Sequence, residues 1–98
     1  MKPDIIALLT LYQTDKGGRK GATPPDRFAC LLELDGEYFD CRLLLDEVGA
    51  LSPGQTATIP IKLLSPELLR GHLHVSQEFY LWDGHRIADG KVLETFLM

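Results

Sequence analysis

The stretch CLLELDGEYFDC, Cys30 to Cys41, holds both cysteines of the chain. Two thiols so placed have three possible uses: a disulfide, part of a metal site, or filling for a core. The choice depends on where the side chains point. Asp35-Gly36 stands between two β-like runs, and Asp-Gly is a strong hairpin signal because both central residues of a type I′ turn need positive φ. A two-residue turn there pairs Leu34 with Glu37, Leu32 with Phe39, Cys30 with Cys41 and Phe28 with Leu43 on one face. The other face pairs Glu33 with Tyr38, Leu31 with Asp40 and Ala29 with Arg42. The cysteines are therefore expected opposite each other on the apolar face. Strand residues so opposed lie about 4.5 to 5.5 Å apart at Cα, within reach of a disulfide. A reducing compartment favours buried reduced thiols acting as small hydrophobes, with a disulfide as the alternative.

Other candidate chemistry is thinner. His72 and His74, two apart on an expected strand, make a crude metal-ligand pair with His85 as a conceivable third. Leu73 and Val75 would take the inward face, which leaves both histidines in solvent, and no metal or other cofactor is expected. The segment KGGRKG, Lys16 to Gly21, has glycines and cations without the spacing of a phosphate-cradling loop. It reads as a solvated loop that offers Lys16, Arg19 and Lys20 to a phosphate or an acidic partner. No G-x-S-x-G elbow is present, and carboxylates such as Asp46 and Glu47 read as surface charge. The aromatics are more suggestive. In EFYLW, Phe79 and Leu81 point one way while Tyr80 and Trp82 point the other, and Tyr and Trp are enriched among interface anchors.

The elements that must position these groups follow from periodicity. Alternation with period two recurs along the chain and no sustained 3.6-residue stripe appears, so the class is all-β. Ile5, Ala7, Leu9 and Leu11 share one face of a first strand, whose other face is also largely apolar and is expected to be covered or to meet a neighbour. Thr14 to Arg27 forms a long Gly- and Pro-rich loop, and long loops in compact domains are often functional. SPGQ, Ser52 to Gln55, is a turn with Pro second and Gly third. Ala57, Ile59, Ile61 and Leu63 then mark a half-buried strand. Pro60 has no donor, so that strand is expected at an edge or with this amide position turned away from a neighbour. Ser65, Pro66 and Gly71 bracket one helical turn as N-cap, first residue and stop. Leu73 and Val75 resume a strand. Of the two Asp-Gly pairs near the end, Asp83-Gly84 and Asp89-Gly90, one should be a turn and the other a bulge. Short antiparallel strands of this kind, five to seven of them, close most easily into a barrel.

With 98 residues, 45% of them apolar and 24% charged, the chain is expected to be one globular domain spanning 1–98. The net charge of -4 provides no overall footprint for a phosphate backbone, so any RNA or tRNA contact must be local. No apolar run approaches the roughly 20 residues of a membrane span. The start MKPDIIALLTLY carries an early Asp4 and no small-residue cleavage site, so a cytoplasmic, unprocessed protein is expected.

Four stretches in order, IALLTLYQTDKGGR, RFACLLEL, LSPGQTATIPIKLLSPELL and DGHRIADGKVLE, resemble the C-terminal β-barrel domain of elongation factor Tu and related translational GTPases. The resemblance runs from about Ile5 to Thr95, and its marks are Gly17-Gly18-Arg19, Pro53-Gly54, Pro66, and Gly84, Arg86 and Gly90. It implies a six-stranded antiparallel Greek-key barrel acting as a binding module of the translation apparatus. In that family the domain packs on the GTPase domain, touches the T stem of aminoacyl-tRNA and meets the nucleotide-exchange factor. The GTPase domain and the middle barrel do not occur in this sequence, so no GTP hydrolysis is implied. The expected partner is a protein or ribonucleoprotein of the translation apparatus, engaged through the Lys16 to Lys20 loop, and the candidate contact residues are Lys16, Arg19, Lys20, Tyr80, Trp82, His85 and Arg86. The other reading is a protein-protein module with no RNA role, anchored by Tyr80 and Trp82. Independently of the family, Gly18, Gly84 and Gly90 are expected at tight barrel corners or bulges that demand a backbone conformation closed to residues bearing a Cβ, and Arg19 and Arg86 where a donor fork bridges carbonyls or a carboxylate.

Overall fold

The computed structural model describes residues 2–97. Six strands form it: β1 (Ile5–Leu11), β2 (Arg27–Leu34), β3 (Glu37–Leu44), β4 (Thr56–Leu63), β5 (Glu78–Trp82) and β6 (Arg86–Thr95). They close into an antiparallel barrel in the order β1-β4-β3-β2-β5-β6, with β6 back against β1. Strands β2, β3 and β4 follow one another around the wall and β1 returns beside β4, which is the Greek-key arrangement. Closure leaves no free edge along most of the sheet.

Alternation fills the inside. Ile5, Ala7, Leu9 and Leu11 of β1, Ile59, Ile61 and Leu63 of β4, and Phe79 and Leu81 of β5 are all buried in a single core. Leu45, Leu51, Leu69 and Leu73 join that core from the connecting segments. The outer face of β1 differs from expectation. Leu8 is 38% exposed and Thr10 is exposed, because a barrel wall is covered on its inner side only and neighbours flank the strand edge to edge.

The β2–β3 hairpin has the register its turn dictates. Asp35 and Gly36 both have positive φ, 52° and 79°, and the pairs run from Leu34–Glu37 through Cys30–Cys41 to Arg27–Leu44. Both cysteines are buried and form no disulfide, and their sulfurs lie 3.6 Å apart in a thiol hydrogen bond. The Ser52–Gln55 turn forms as its Pro-Gly pair requires, with the Gln55 amide donating to the Ser52 carbonyl at 3.0 Å and Gly54 at φ 86°.

Several local expectations hold only in part or are corrected. For Pro60 the second of the two expected placements holds: β4 lies between β1 and β3, but Pro60 pairs with Ile6 one residue beyond the last β3–β4 pair, so its donorless amide position faces no β3 partner. The expected short helical turn forms, as a 3-10 turn at Pro66–Leu68 with Ser65 at the N-cap position and Pro66 first, but the Ser65 side chain makes no capping bond and the turn ends at Leu69 before Gly71. Leu73 and Val75 do not resume a strand; Leu73 is buried as a plug while Val75 is exposed, because the chain turns twice between Gly71 and Gln77. Asp83-Gly84 is the turn, with Gly84 at φ 77°. Asp89-Gly90 is regular strand and no bulge: Gly90 pairs with Phe79 and with Leu9. The irregularities in β6 fall instead at Ile87, where Trp82–Arg86 gives way to Leu81–Ala88, and at Leu93, where Ile6–Glu94 gives way to Ala7–Val92. An extra residue at Ile87 lets two consecutive side chains, Ile87 and Ala88, both be buried.

Candidate binding surface

The long β1–β2 connection is held by a few specific bonds. A 3-10 turn at Thr14–Lys16 ends at Gly17, which has φ 89°. The Gly18 amide donates back to the Gln13 carbonyl at 2.9 Å, and a Cβ on Gly18 would lie 2.0 Å from the Tyr12 carbonyl oxygen. Gly18 is thus demanded by close approach rather than by φ. Thr14 Oγ1 donates to the Arg19 carbonyl. Further along, Thr23 is buried and zipped to Leu51: its amide donates to the Leu51 carbonyl and its Oγ1 accepts from the Leu51 amide, both at 2.9 Å.

Arg19 reaches from this loop to the β5–β6 turn. Its Nη1 donates to Asp83 Oδ2 at 2.8 Å, its guanidinium lies 4.6 Å from the Phe28 ring centroid, and its remaining donors approach the carbonyls of Gly21 and Ala22. Gly17, Arg19, Lys20, Asp83 and His85 border an open cleft of about 520 Å³ between the two segments. Lys20 and His85 are exposed, as is Lys16 at the end of the 3-10 turn. The fold therefore brings the sequence-predicted Arg19, Lys20 and His85 together, with Arg19 already engaged inside the chain.

The outer wall of β2, β3 and β5 carries the second group. Glu33 on β2 pairs with Tyr38 of β3 on one side and Tyr80 of β5 on the other. Arg86 donates to both carboxylate oxygens of Glu33, Nη2 to Oε2 at 2.7 Å and Nε to Oε1 at 3.3 Å, while its guanidinium lies 3.6 Å from the Tyr80 ring centroid. The bond to Glu33 raises the Arg86 pKa further, so its charge is fixed. Trp82 meets Tyr38 edge to face with ring centroids 5.3 Å apart. Tyr38 and Tyr80 are 47% and 38% exposed, and Trp82 is half-buried. Next to this wall the Tyr12 hydroxyl donates to Asp89 Oδ1 at 2.6 Å, and burial together with that bond raises the phenol pKa well above its ordinary value.

Tyr80, Trp82 and Arg86, singled out from sequence, thus sit together; Tyr38 and Glu33 are the members that sequence reasoning missed. The hairpin register had already set Glu33 opposite Tyr38, but nothing local tells that β5 lies on the other side of β2. Among the described residues, no three His, Cys, Asp or Glu side chains gather as a metal site. His72 and His74 are exposed on an irregular segment. Burial and the neighbouring Cys30 thiol hold the Cys41 proton, the hydrogen bond to Cys30 being the larger cause, so its thiolate is strongly disfavoured. No helix among the described residues is long and apolar enough to cross a membrane. No protein-family model matches the sequence, and no curated protein matches it.

Proposed function

We propose that this barrel is a non-enzymatic binding module that takes a protein partner on the wall formed by Tyr38, Tyr80 and Trp82. One observation carries the reading: aromatic side chains that the core does not use stand partly exposed and already held, Trp82 against Tyr38 and Tyr80 beneath an Arg86 fixed by Glu33. Aromatic and arginine side chains dominate binding hot spots, and side chains held in place beforehand lose little freedom on binding. The four stretches resembling the elongation factor Tu barrel support a partner from the translation apparatus.

A second reading, contact with a ribonucleoprotein through Lys16, Lys20 and His85, is favoured by the exposure of these groups around the glycine-rich cleft. Against it stand the net charge of -4 and the use of Arg19 by Asp83. The test is a pull-down from native extract with and without RNase, followed by affinity measurement on whatever is recovered. Trp82→Ala should weaken a protein contact by about 2 kcal/mol or more with little salt dependence. An RNase-sensitive partner whose affinity falls with salt and with Lys16→Ala and Lys20→Ala, and ignores Trp82→Ala, would establish the second reading instead.

A further inference from the structure

Strands β3 and β4 separate early. Their register consists of Cys41–Leu63, Arg42–Lys62 and Leu43–Ile61. Beyond it β3 stays with β2, and the Leu45 amide donates to the Asp26 carbonyl at 2.8 Å. Strand β4 continues with β1 alone, through the pairs Ile6–Pro60, Ala7–Ile59, Leu8–Thr58, Leu9–Ala57 and Thr10–Thr56. The Leu11 amide donates to the Gln55 carbonyl at 2.9 Å, which sets the phase of this ladder. Gln55, Ala57 and Ile59 bond toward β1, so the peptide groups of Thr56 and Thr58 point the other way, into the gap that β3 has left.

Nothing from the Leu45–Gln55 connection closes that gap. Among the described residues, no loop backbone group bonds to Thr56 or Thr58, and both residues are exposed. Pro60 blunts the inner end of the stretch, since it has no donor, but the donors and acceptors of Thr56 and Thr58 remain. Unpaired main-chain groups in a row are a template for an added strand. Beside them lies a groove of about 460 Å³ whose apolar lining includes Ile6, Leu44, Val48 and Pro60. Asp46 and Glu47 border it, with Arg27 also on its margin.

We propose that this edge and groove receive an extended peptide segment of a partner protein, which adds to β4 as a strand. The unpaired peptide groups specify an extended main chain, the apolar lining specifies an aliphatic side chain, and the adjacent carboxylates specify a cation. Arg27 makes a peptide with a single lysine or arginine a better fit than a uniformly basic one. The residues involved are distinct from the aromatic wall, so the two surfaces can be tested separately.

The experiment uses the full chain, isotope-labelled for NMR, and the capped peptide Thr-Val-Lys-Ile-Thr-Val-Ser. In the free protein the amides of Thr56 and Thr58 should exchange with solvent at least about tenfold faster than those of Ala57 and Ile59. Adding peptide should slow their exchange and shift the signals of Val48 and Thr58. Peptide N-methylated at alternate amides, or carrying Glu in place of Lys, should bind at least about tenfold more weakly, as should the wild-type peptide to the Asp46→Lys, Glu47→Lys variant. Thr58→Pro removes one donor at an exposed position and should abolish binding while the rest of the spectrum is retained; Val48→Glu gives the same readout without touching the backbone. Equal binding of the N-methylated peptide, shifts confined to Tyr38 and Trp82, no shift at millimolar peptide, or protected Thr56 and Thr58 amides in the free monomer would each overturn the proposal. Protection that grows with protein concentration alongside dimer formation would overturn it too, since the edge would then belong to a second copy.

Discussion

The ring of Phe79 occupies the space that any side chain on Gly90 would need: a Cβ at Gly90 would lie 2.4 Å from two of its ring carbons. The two residues face each other across the β5–β6 ladder, Phe79 is buried, and Gly90 has ordinary strand geometry without positive φ. The glycine is therefore required by packing alone.

Gly90→Ala is expected to destabilise the barrel by about 1–3 kcal/mol, the usual cost of overpacking a closed core. Combining it with Phe79→Leu, which vacates the ring volume, should cost less than the sum of the single changes. Urea unfolding of the four proteins in this cycle measures the coupling, and strict additivity would refute the packing account.

The sulfurs of Cys30 and Cys41, 3.6 Å apart inside the barrel, should react slowly with a thiol reagent in the native protein and rapidly in denaturant. The Cys41 pKa is raised, so at moderate alkalinity its native labelling should remain far slower than that of a free thiol. Stopped-flow absorbance separates the two; fast labelling of both native thiols would contradict their inward placement.

Tyr12 offers a pH signature. Its folded phenol holds its proton more tightly than the unfolded phenol, whose ordinary pKa is 10.0, so its share of stability is intact below that pH and is lost as pH rises above it. Tyr12→Phe has no such proton to lose. The difference in urea midpoint between wild type and Tyr12→Phe should accordingly shrink or change sign as pH rises from neutral through the ordinary phenol range, and a difference independent of pH would exclude the Tyr12–Asp89 bond as its source.

Trp82 is the only tryptophan in the chain, which makes the aromatic wall directly visible. Tyr38→Ala removes its edge-to-face partner and should shift Trp82 fluorescence to longer wavelength, with a stability loss of about 0.5–1.5 kcal/mol. An unchanged emission maximum would mean that the rings do not meet in solution.

How far each feature could be read from sequence depended on how local its cause is. The whole β2–β3 register, including the facing cysteines, follows from Asp35 and Gly36, because a two-residue turn fixes every pair behind it. Phe79 and Leu81 inward, with Tyr80 and Trp82 outward, followed from alternation alone. By contrast, Asp83-Gly84 and Asp89-Gly90 carry the same local signal, and only the ring of Phe79 across the ladder distinguishes them. Leu73 and Val75 alternate like strand residues, yet the chain there uses Leu73 to plug the core and lets Val75 face solvent.

The sequence by itself determined an all-β chain, its inward faces and the hairpin register, since these depend on side-chain period and turn conformation within a few residues. Tertiary structure alone decided that β5 lies beside β2, that Arg19 meets Asp83 and Arg86 meets Glu33, and that β4 outruns β3. Those relationships join segments dozens of positions apart, and only closure of the barrel, which buries one shared apolar interior, brings them into register.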